Sequence, residues 1–222
     1  MKIVCLSDTH QQHRNLVVPA GDLLIHAGDI TMNGSLDVIR DFNTWLGELP
    51  HRHKVMIAGN HDRNFERQPE TRALITNAIY LEESGCTIEG LKFWGSPISP
   101  WFFDWSFNRQ RGADIKRHWD AIPRDTQVLI THGPPRGMLD TIRPGSGPLG
   151  CDDLAHAVAE VKPLLHVFGH IHGGYGVNRE GITTFVNASM VNEEYKTVHP
   201  PICVTLEELK TSRAKAVSAG WR

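Results

Sequence analysis

The feature that most constrains this chain is a series of short apolar runs, each closed by a glycine or a polar cluster. They are "KIVCLS" at 2–7, "LLIHAG" at 23–28, "KVMIAG" at 54–59, "QVLIT" at 127–131, "LLHVFG" at 164–169, "TTFVN" at 183–187 and "ICVTL" at 202–206. Runs this brief and rich in Val and Ile read as buried strands rather than helices. Between the second and third, "GSLDVIRDFNTWLGELP" puts Leu36, Ile39, Phe42, Trp45 and Leu46 on one helical face behind a Ser35 N-cap. Between the fourth and fifth, "CDDLAHAVAEVKP" offers acidic first-turn residues, apolar Leu154, Val158 and Val161, and a proline stop. Strand, helix, strand alternation predicts an α/β fold.

No repeat or linker divides the chain, and 222 residues at 40% hydrophobic can bury one full core. A single domain over residues 1–222 is expected, with 207–222, "EELKTSRAKAVSAGWR", either a surface helix or a loose peripheral tail. A formal net charge of -2 provides no polymer-sized basic field, which argues against long nucleic acid and anionic membranes as partners and for a small soluble one. Cys5, Cys86, Cys151 and Cys203 lie far apart without a Cys-x-x-Cys pair, so reduced thiols are expected rather than a zinc knuckle or disulfide framework. The N-terminus turns acidic at Asp8 too soon for a signal peptide, and no run reaches the length of a membrane span; a cytoplasmic address is the expectation.

The residues that close the strands are more specific. The first run ends in Asp8-Thr9-His10, the second in Asp29, the third in Asn60-His61-Asp62, the fourth in His132 and the fifth in His170-Ile171-His172. Carboxyl ends of parallel strands line one edge of a sheet, where loops leave a rigid scaffold, so residues distant in sequence can converge there. One His-x-His alone would mean little, since thirteen histidines would make roughly 0.8 such triplets by chance. "HRHK" at 51–54 is such a decoy, because it precedes its strand. Convergence would collect oxygen donors from Asp8, Asp29 and Asn60 with imidazoles from His10, His132, His170 and His172. Oxygen and nitrogen without thiolate suit manganese, iron or zinc. Seven donors exceed one tetrahedral ion but fill two if a carboxylate is shared. Two such cations can grip a phosphoryl group and acidify a water. His61, beside Asn60, is a residue type suited to proton transfer near neutral pH.

The blocks "SDTH", "HAGD", "AGNHD", "THGPP" and "FGHIH", complete and in order from residue 3 to about 190, resemble the calcineurin-like metallophosphoesterases. "FWGSP", "FNRQRG" and "HVFGHIHGGYG" look most like the MPPED-type small phosphodiesterases within them. The resemblance implies an α/β/β/α sandwich of two packed mixed sheets flanked by helices. It implies one divalent ion on Asp8, His10 and His172, a second on Asn60, His132 and His170, and Asp29 bridging both, with manganese favoured over iron or zinc. It also makes His61 the proton donor, oriented by Asp62. The expected reaction is hydrolysis of a phosphodiester, such as a small or cyclic nucleotide, by in-line attack of a metal-bridging hydroxide. The alternatives are a phosphomonoesterase or protein phosphatase, and a metal-bound scaffold without catalysis. A monomer or homodimer is expected.

The histidines at 13, 26, 51, 53, 118, 156, 166 and 199 read as structural or solvated. Residues 93–107, "FWGSPISPWFFDWSF", hold seven of the seventeen aromatics; they could stack a nucleobase, but packing onto the core is the commoner use. Arg14, Arg109, Arg111, Arg136 and Arg143 could clamp a phosphate, with ordinary surface arginine the default. The Gly/Pro segment 133–150 is either a rim to the site or a passive connection.

Overall fold

The computed structural model describes residues 1–221. In chain order the elements begin β1 (Lys2–Leu6), β2 (Leu23–His26), α1 (Leu36–Glu48), β3 (His53–Met56), α2 (Arg63–Arg67), β4 (Ile79–Tyr80), β5 (Ser84–Ile88) and β6 (Leu91–Ser96). They continue β7 (Ser99–Pro100), β8 (Asn108–Arg109), α3 (Ala113–Asp120), β9 (Val128–Thr131), α4 (Asp152–Val161) and β10 (Leu165–Phe168). The last are β11 (Gly176–Glu180), β12 (Thr183–Asn187), β13 (Ile202–Thr205) and α5 (Leu206–Ser218). One large sheet has the order β13-β1-β2-β3-β4, the other β11-β12-β10-β9-β6-β5, and β7 and β8 form a separate parallel pair. Both are mixed: β1 to β4 run parallel beside antiparallel β13, and β12, β10, β9 and β6 run parallel between antiparallel β11 and β5.

The fully apolar strands are explained by this layering. Successive side chains alternate between faces. Ile3, Cys5, Ile25 and Val55 of the first sheet join Val128, Ile130, Leu165, Val167 and Val186 of the second in one buried layer. The alternate residues face helices: Val4, Leu6, Leu24 and Met56 share a core with Ile39, Phe42, Trp45 and Leu46 of α1, and Leu129, Phe168 and Phe185 share it with Leu154 and Val158 of α4. Each such side chain stabilises the fold by about 1.5–3 kcal/mol relative to exposure, so a polar residue inside these strands needs a reason.

The helix boundaries follow the sequence with one correction. The Ser35 side chain makes no capping hydrogen bond to α1; in the turn that leads into the helix, the Thr31 hydroxyl accepts the Gly34 N–H at 2.7 Å. α4 stops at Lys162, which takes a left-handed φ of 53° before Pro163. The C-terminal segment is a helix: Thr205 accepts the Glu208 N–H, Glu208 accepts the Thr205 N–H, and Leu209 is buried. No described helix is long and apolar enough to cross a membrane.

Candidate metal centre

Because β1, β2 and β3 are parallel neighbours and β9 and β10 are too, the loops leaving their carboxyl ends emerge together. Hydrogen bonds stitch these loops across the two sheets. Asp8 N–H donates to Gly28 O at 2.9 Å and His10 N–H to Asp29 O at 3.0 Å. His170 N–H donates to both Asp8 carboxylate oxygens, at 3.1 and 3.0 Å. All seven expected donors meet here. Asp8, His10 and His172 offer ligand atoms within 4.8 Å of one another, as do Asp29, His132 and His170, and also His10, Asp29 and His61. Asn60 joins the second group, its Oδ1 2.8 Å from His132 Nε2. Asp29 is common to two groups.

The backbone is strained where the donors sit. Asp8, His10, Asp29 and His170 have φ of 53°, 40°, 57° and 66°, left-handed values that cost side-chain-bearing residues about 1–3 kcal/mol each. Close packing holds them there. A Cβ on Gly169 would fall on Asp8 Oδ2 and Ser7 Oγ, and one on Gly59 would fall on Asp29 Oδ1; only glycine lets these backbones approach the carboxylates.

Imidazole tautomers are set from behind. Nδ1 of His10 lies 3.2 Å from Thr31 O, that of His132 2.9 Å from Ala27 O, that of His172 3.1 Å from Asn192 O and that of His61 2.8 Å from Met32 O. A carbonyl only accepts, so each Nδ1 carries a proton and each ring turns its Nε2 inward. There the Nε2 atoms face oxygens: His132 Nε2 is 3.3 Å, His10 Nε2 3.8 Å and His61 Nε2 4.0 Å from Asp29 Oδ2, and His172 Nε2 is 3.6 Å from Asp8 Oδ1. His10 Nε2 is buried with no hydrogen-bond partner. Ring nitrogens and carboxylate oxygens gathered out of water need positive charge among them, from protons on the rings or from a metal ion, so this donor set fits divalent metal.

The same crowding polarises the protons. Burial alone would raise the Asp8 and Asp29 carboxyls, but His172 and His132 outweigh it at Asp8, and His132, His61 and His10 at Asp29, holding both well below the usual carboxylate range. Burial would lower His132, yet Asp29 beside it lifts the ring to about 9. Burial and then His132 push His170 down to about 3. A site that pulls a proton onto His132 in this way is asking for positive charge at Asp29.

Asp62 does not orient His61. Its carboxylate accepts N–H bonds from Ile30, Thr31 and Gly59 at 3.2, 2.9 and 2.9 Å, fixing the loops that carry Asp29 and Asn60. The His61 ring is oriented instead by the Met32 carbonyl. Burial, then Asp29, raises the Asp62 carboxyl to about 7. His13 is structural: buried against α1, with Nε2 2.8 Å from Asp41 of that helix. His26 and His166 are buried inside strands behind the centre, and burial lowers each to about 3.

A cavity of about 380 Å³ opens over Asp29, Asn60, His61, His170 and His172. The aromatic segment divides: Phe93 and Phe107 enter the core, while Trp101, Phe102 and Phe103 are 48%, 59% and 74% exposed and wall the cavity with Trp105. Gly133, Pro134, Ile142 and Leu149 make the 133–150 segment its rim. Arg111 also lines it, donating to Gly150 O and Leu149 O at 2.8 Å. Arg109 does not; its guanidinium pairs with Glu66 at 3.1 Å. Arg14 pairs with Asp41 and Glu48, and Arg136 with Asp152.

Two contributors had no signature in the sequence. One is the set of carbonyls at Ala27, Thr31, Met32 and Asn192, since a carbonyl is common to every residue. The other is Tyr195, left-handed at φ 57°, whose ring packs edge-on 4.9 Å from His10 and 5.4 Å from His172.

The sequence profile of the calcineurin-like phosphoesterases matches residues 1–174. Metallophosphoesterase domain-containing protein 1 of Homo sapiens is 42% identical over 236 residues, covering 95% of this chain and 72% of that protein. UPF0046 protein K07C11.7 of Caenorhabditis elegans is 41% identical over 217 residues, covering 91% of this chain and 74% of that protein. Among solved structures, TT1561 of Thermus thermophilus shares the fold with a TM-score of 0.55 at 14% identity, covering 84% of this chain and 88% of that one.

Proposed function

This chain belongs to the calcineurin-like phosphoesterase family, a divalent-metal-dependent family, and on that premise we propose that it hydrolyses small phosphodiesters, nucleotides among them. Asp8, His10 and His172 would hold one ion, Asn60, His132 and His170 a second, and Asp29 would be shared. This oxygen and nitrogen donor set without thiolate suits manganese, iron or zinc, and manganese is the ion we propose. When bound, the ions supply Lewis acidity, neutralising phosphoryl charge and lowering the pKa of water.

The chain's own residues do the rest. Water adds to phosphorus and gives up a proton to solvent as the P–O bond to the leaving group breaks, and His61, protonated on both ring nitrogens, delivers one proton to the departing oxygen. Nδ1–H is committed to Met32 O, so the proton His61 can give is one on Nε2, the nitrogen on the Asp29 side. Trp101, Phe102 and Phe103 offer faces against which a base or aryl group can stack. A cavity of about 380 Å³ suits a mononucleotide-sized ester better than a polymer. Four free cysteines support a reducing compartment such as the cytoplasm.

One observation carries the reading: Asp29 belongs to two donor groups at the floor of an aromatic-walled cavity. The test is turnover by manganese-loaded protein of a bis-aryl phosphodiester, its monoester, cyclic mononucleotides and a phosphopeptide. Faster turnover of the diesters is expected. Preference for the monoester or phosphopeptide would make it a phosphatase, and metal binding without turnover a scaffold.

A further inference from the structure

A proton donor must be aimed as well as charged. His61 is 6% exposed, and its one ring hydrogen bond, Nδ1 to Met32 O at 2.8 Å, fixes a single point about which the ring could still swing. Three aromatic neighbours remove that freedom, Tyr195 being the most distant at 6.0 Å. The edge of His10 lies 4.8 Å away at 83°, and the Trp105 ring lies 4.1 Å away, tilted by 47°.

Trp105 is itself held. The Arg63 guanidinium carbon lies 4.8 Å from its ring centroid, a cation–π contact. Arg63 shares the turn of His61, donating its N–H to His61 O at 3.0 Å, and its Nε is buried with no hydrogen-bond partner. The indole therefore rests on two side chains of one turn. The segment carrying Trp105 is tied to the same helix further along. Phe107 N–H and the Arg109 guanidinium both reach the Glu66 carboxylate of α2, at 2.8 and 3.1 Å. Glu66 thus sets the distance between the aromatic wall and the His61 turn.

We infer that Trp105, seated on Arg63 and anchored through Glu66, is a positioning residue that aims His61 Nε2 at the leaving-group oxygen. This rests on the reading of His61 as proton donor. Trp105 need not touch the reacting atoms; it restricts the ring to one orientation, which is how an enzyme makes proton transfer efficient. The wall that receives the substrate then also sets the direction of the proton.

The consequence depends on the leaving group. A 4-nitrophenolate departs without help, whereas a phenolate needs the proton. The experiment compares kcat of the manganese-loaded full chain on methyl 4-nitrophenyl phosphate and methyl phenyl phosphate. General acid catalysis is worth about 10²–10⁴-fold, so Trp105→Ala is expected to lose about tenfold or more on the phenyl ester and less than about threefold on the nitrophenyl ester. Trp105→Phe, which keeps a ring face, should stay within about threefold of wild type on both, and Arg63→Met should show a smaller loss confined to the phenyl ester. His61→Ala should be selective in the same sense, and adding Trp105→Ala to it should change nothing further. Equal losses on both esters, or additive losses in the double variant, would overturn the inference. Selectivity in His61→Ala without any in Trp105→Ala would overturn it alone, leaving the proposed function standing. A wild type inactive on both esters would remove both. Should Trp105→Ala lose its metal, Arg63→Met carries the comparison, and no selective loss in that variant overturns the inference.

Discussion

Replacing His166 by Phe should make the protein less sensitive to acid, and the size of the effect can be worked from one hydrogen bond. The Thr131 hydroxyl lies 2.7 Å from Gly133 O, which can only accept, so it donates there. His166 Nε2, 2.8 Å from the same hydroxyl, must therefore be the donor in that contact. Nδ1 is left a buried lone pair without a partner, and a second ring proton would have no acceptor. This agrees with burial lowering His166 from 6.5 to about 3. A depressed histidine leaves stability intact above its unfolded pKa and removes it as pH falls from there toward the folded one, at about 1.4 kcal/mol per pH unit. Between pH 7.5 and 5.5 wild type should thus lose about 1.4 kcal/mol that His166→Phe does not. At pH 7.5 the variant should be less stable by about 1 kcal/mol for the lost hydrogen bond, Thr131 keeping its bond to Gly133. Urea unfolding followed by tryptophan fluorescence, with chelator throughout to keep metal linkage out, measures both quantities. An unchanged difference between the two proteins at the two pH values would refute the reasoning, because it would mean that His166 titrates alike folded and unfolded.

Other expectations concern the centre itself. Asp29→Ala removes the anion that His132 Nε2 faces at 3.3 Å and the acceptor of the His61 N–H at 2.8 Å. It should reduce bound metal and lower kcat by about 10³-fold or more, checked by elemental analysis and diester turnover; full metal content with normal turnover would remove Asp29 from the chemistry. Gly169→Ala places a methyl on Asp8 Oδ2, so it should cost about 1–3 kcal/mol and weaken metal binding, read by thermal melting with and without manganese. Phe102→Ala with Phe103→Ala should raise KM for a nucleotide diester several-fold, as loss of a base stack worth about 1–3 kcal/mol would, while leaving dimethyl phosphate turnover unchanged. Manganese at 100 times its Kd should raise stability by about 2.7 kcal/mol for each ion bound, measurable as a shift in the urea midpoint; no shift would mean the donors do not bind it in the folded state.

Much of the site was legible because strand ends are local events. An apolar run stops where Asp8, Asp29, Asn60, His132 or His170 begins, and parallel neighbours must bring such ends to one edge. The two-sheet arrangement lay beyond periodicity, since a strand buried between a sheet and a helix and one in an open α/β sheet are equally apolar on both faces. The caps divided in the same way. "TLEE" at 205–208 carries its capping box in its own letters, whereas Ser35 resembled a cap but its side chain makes no capping hydrogen bond.

Residue identity by itself determined which atoms could bind a metal: carboxylates, one amide and four imidazoles, placed at strand ends by the spacing of the runs. Only the tertiary structure decided which nitrogen of each ring faces inward, since Ala27, Thr31, Met32 and Asn192 act through backbone carbonyls that any residue would present. It likewise reassigned the orientation of His61 from adjacent Asp62 to Met32 and Trp105, and turned Tyr195 over His10. Side-chain chemistry is written in the letters, whereas hydrogen-bond direction and ring stacking depend on distances between segments that the order of the letters does not contain.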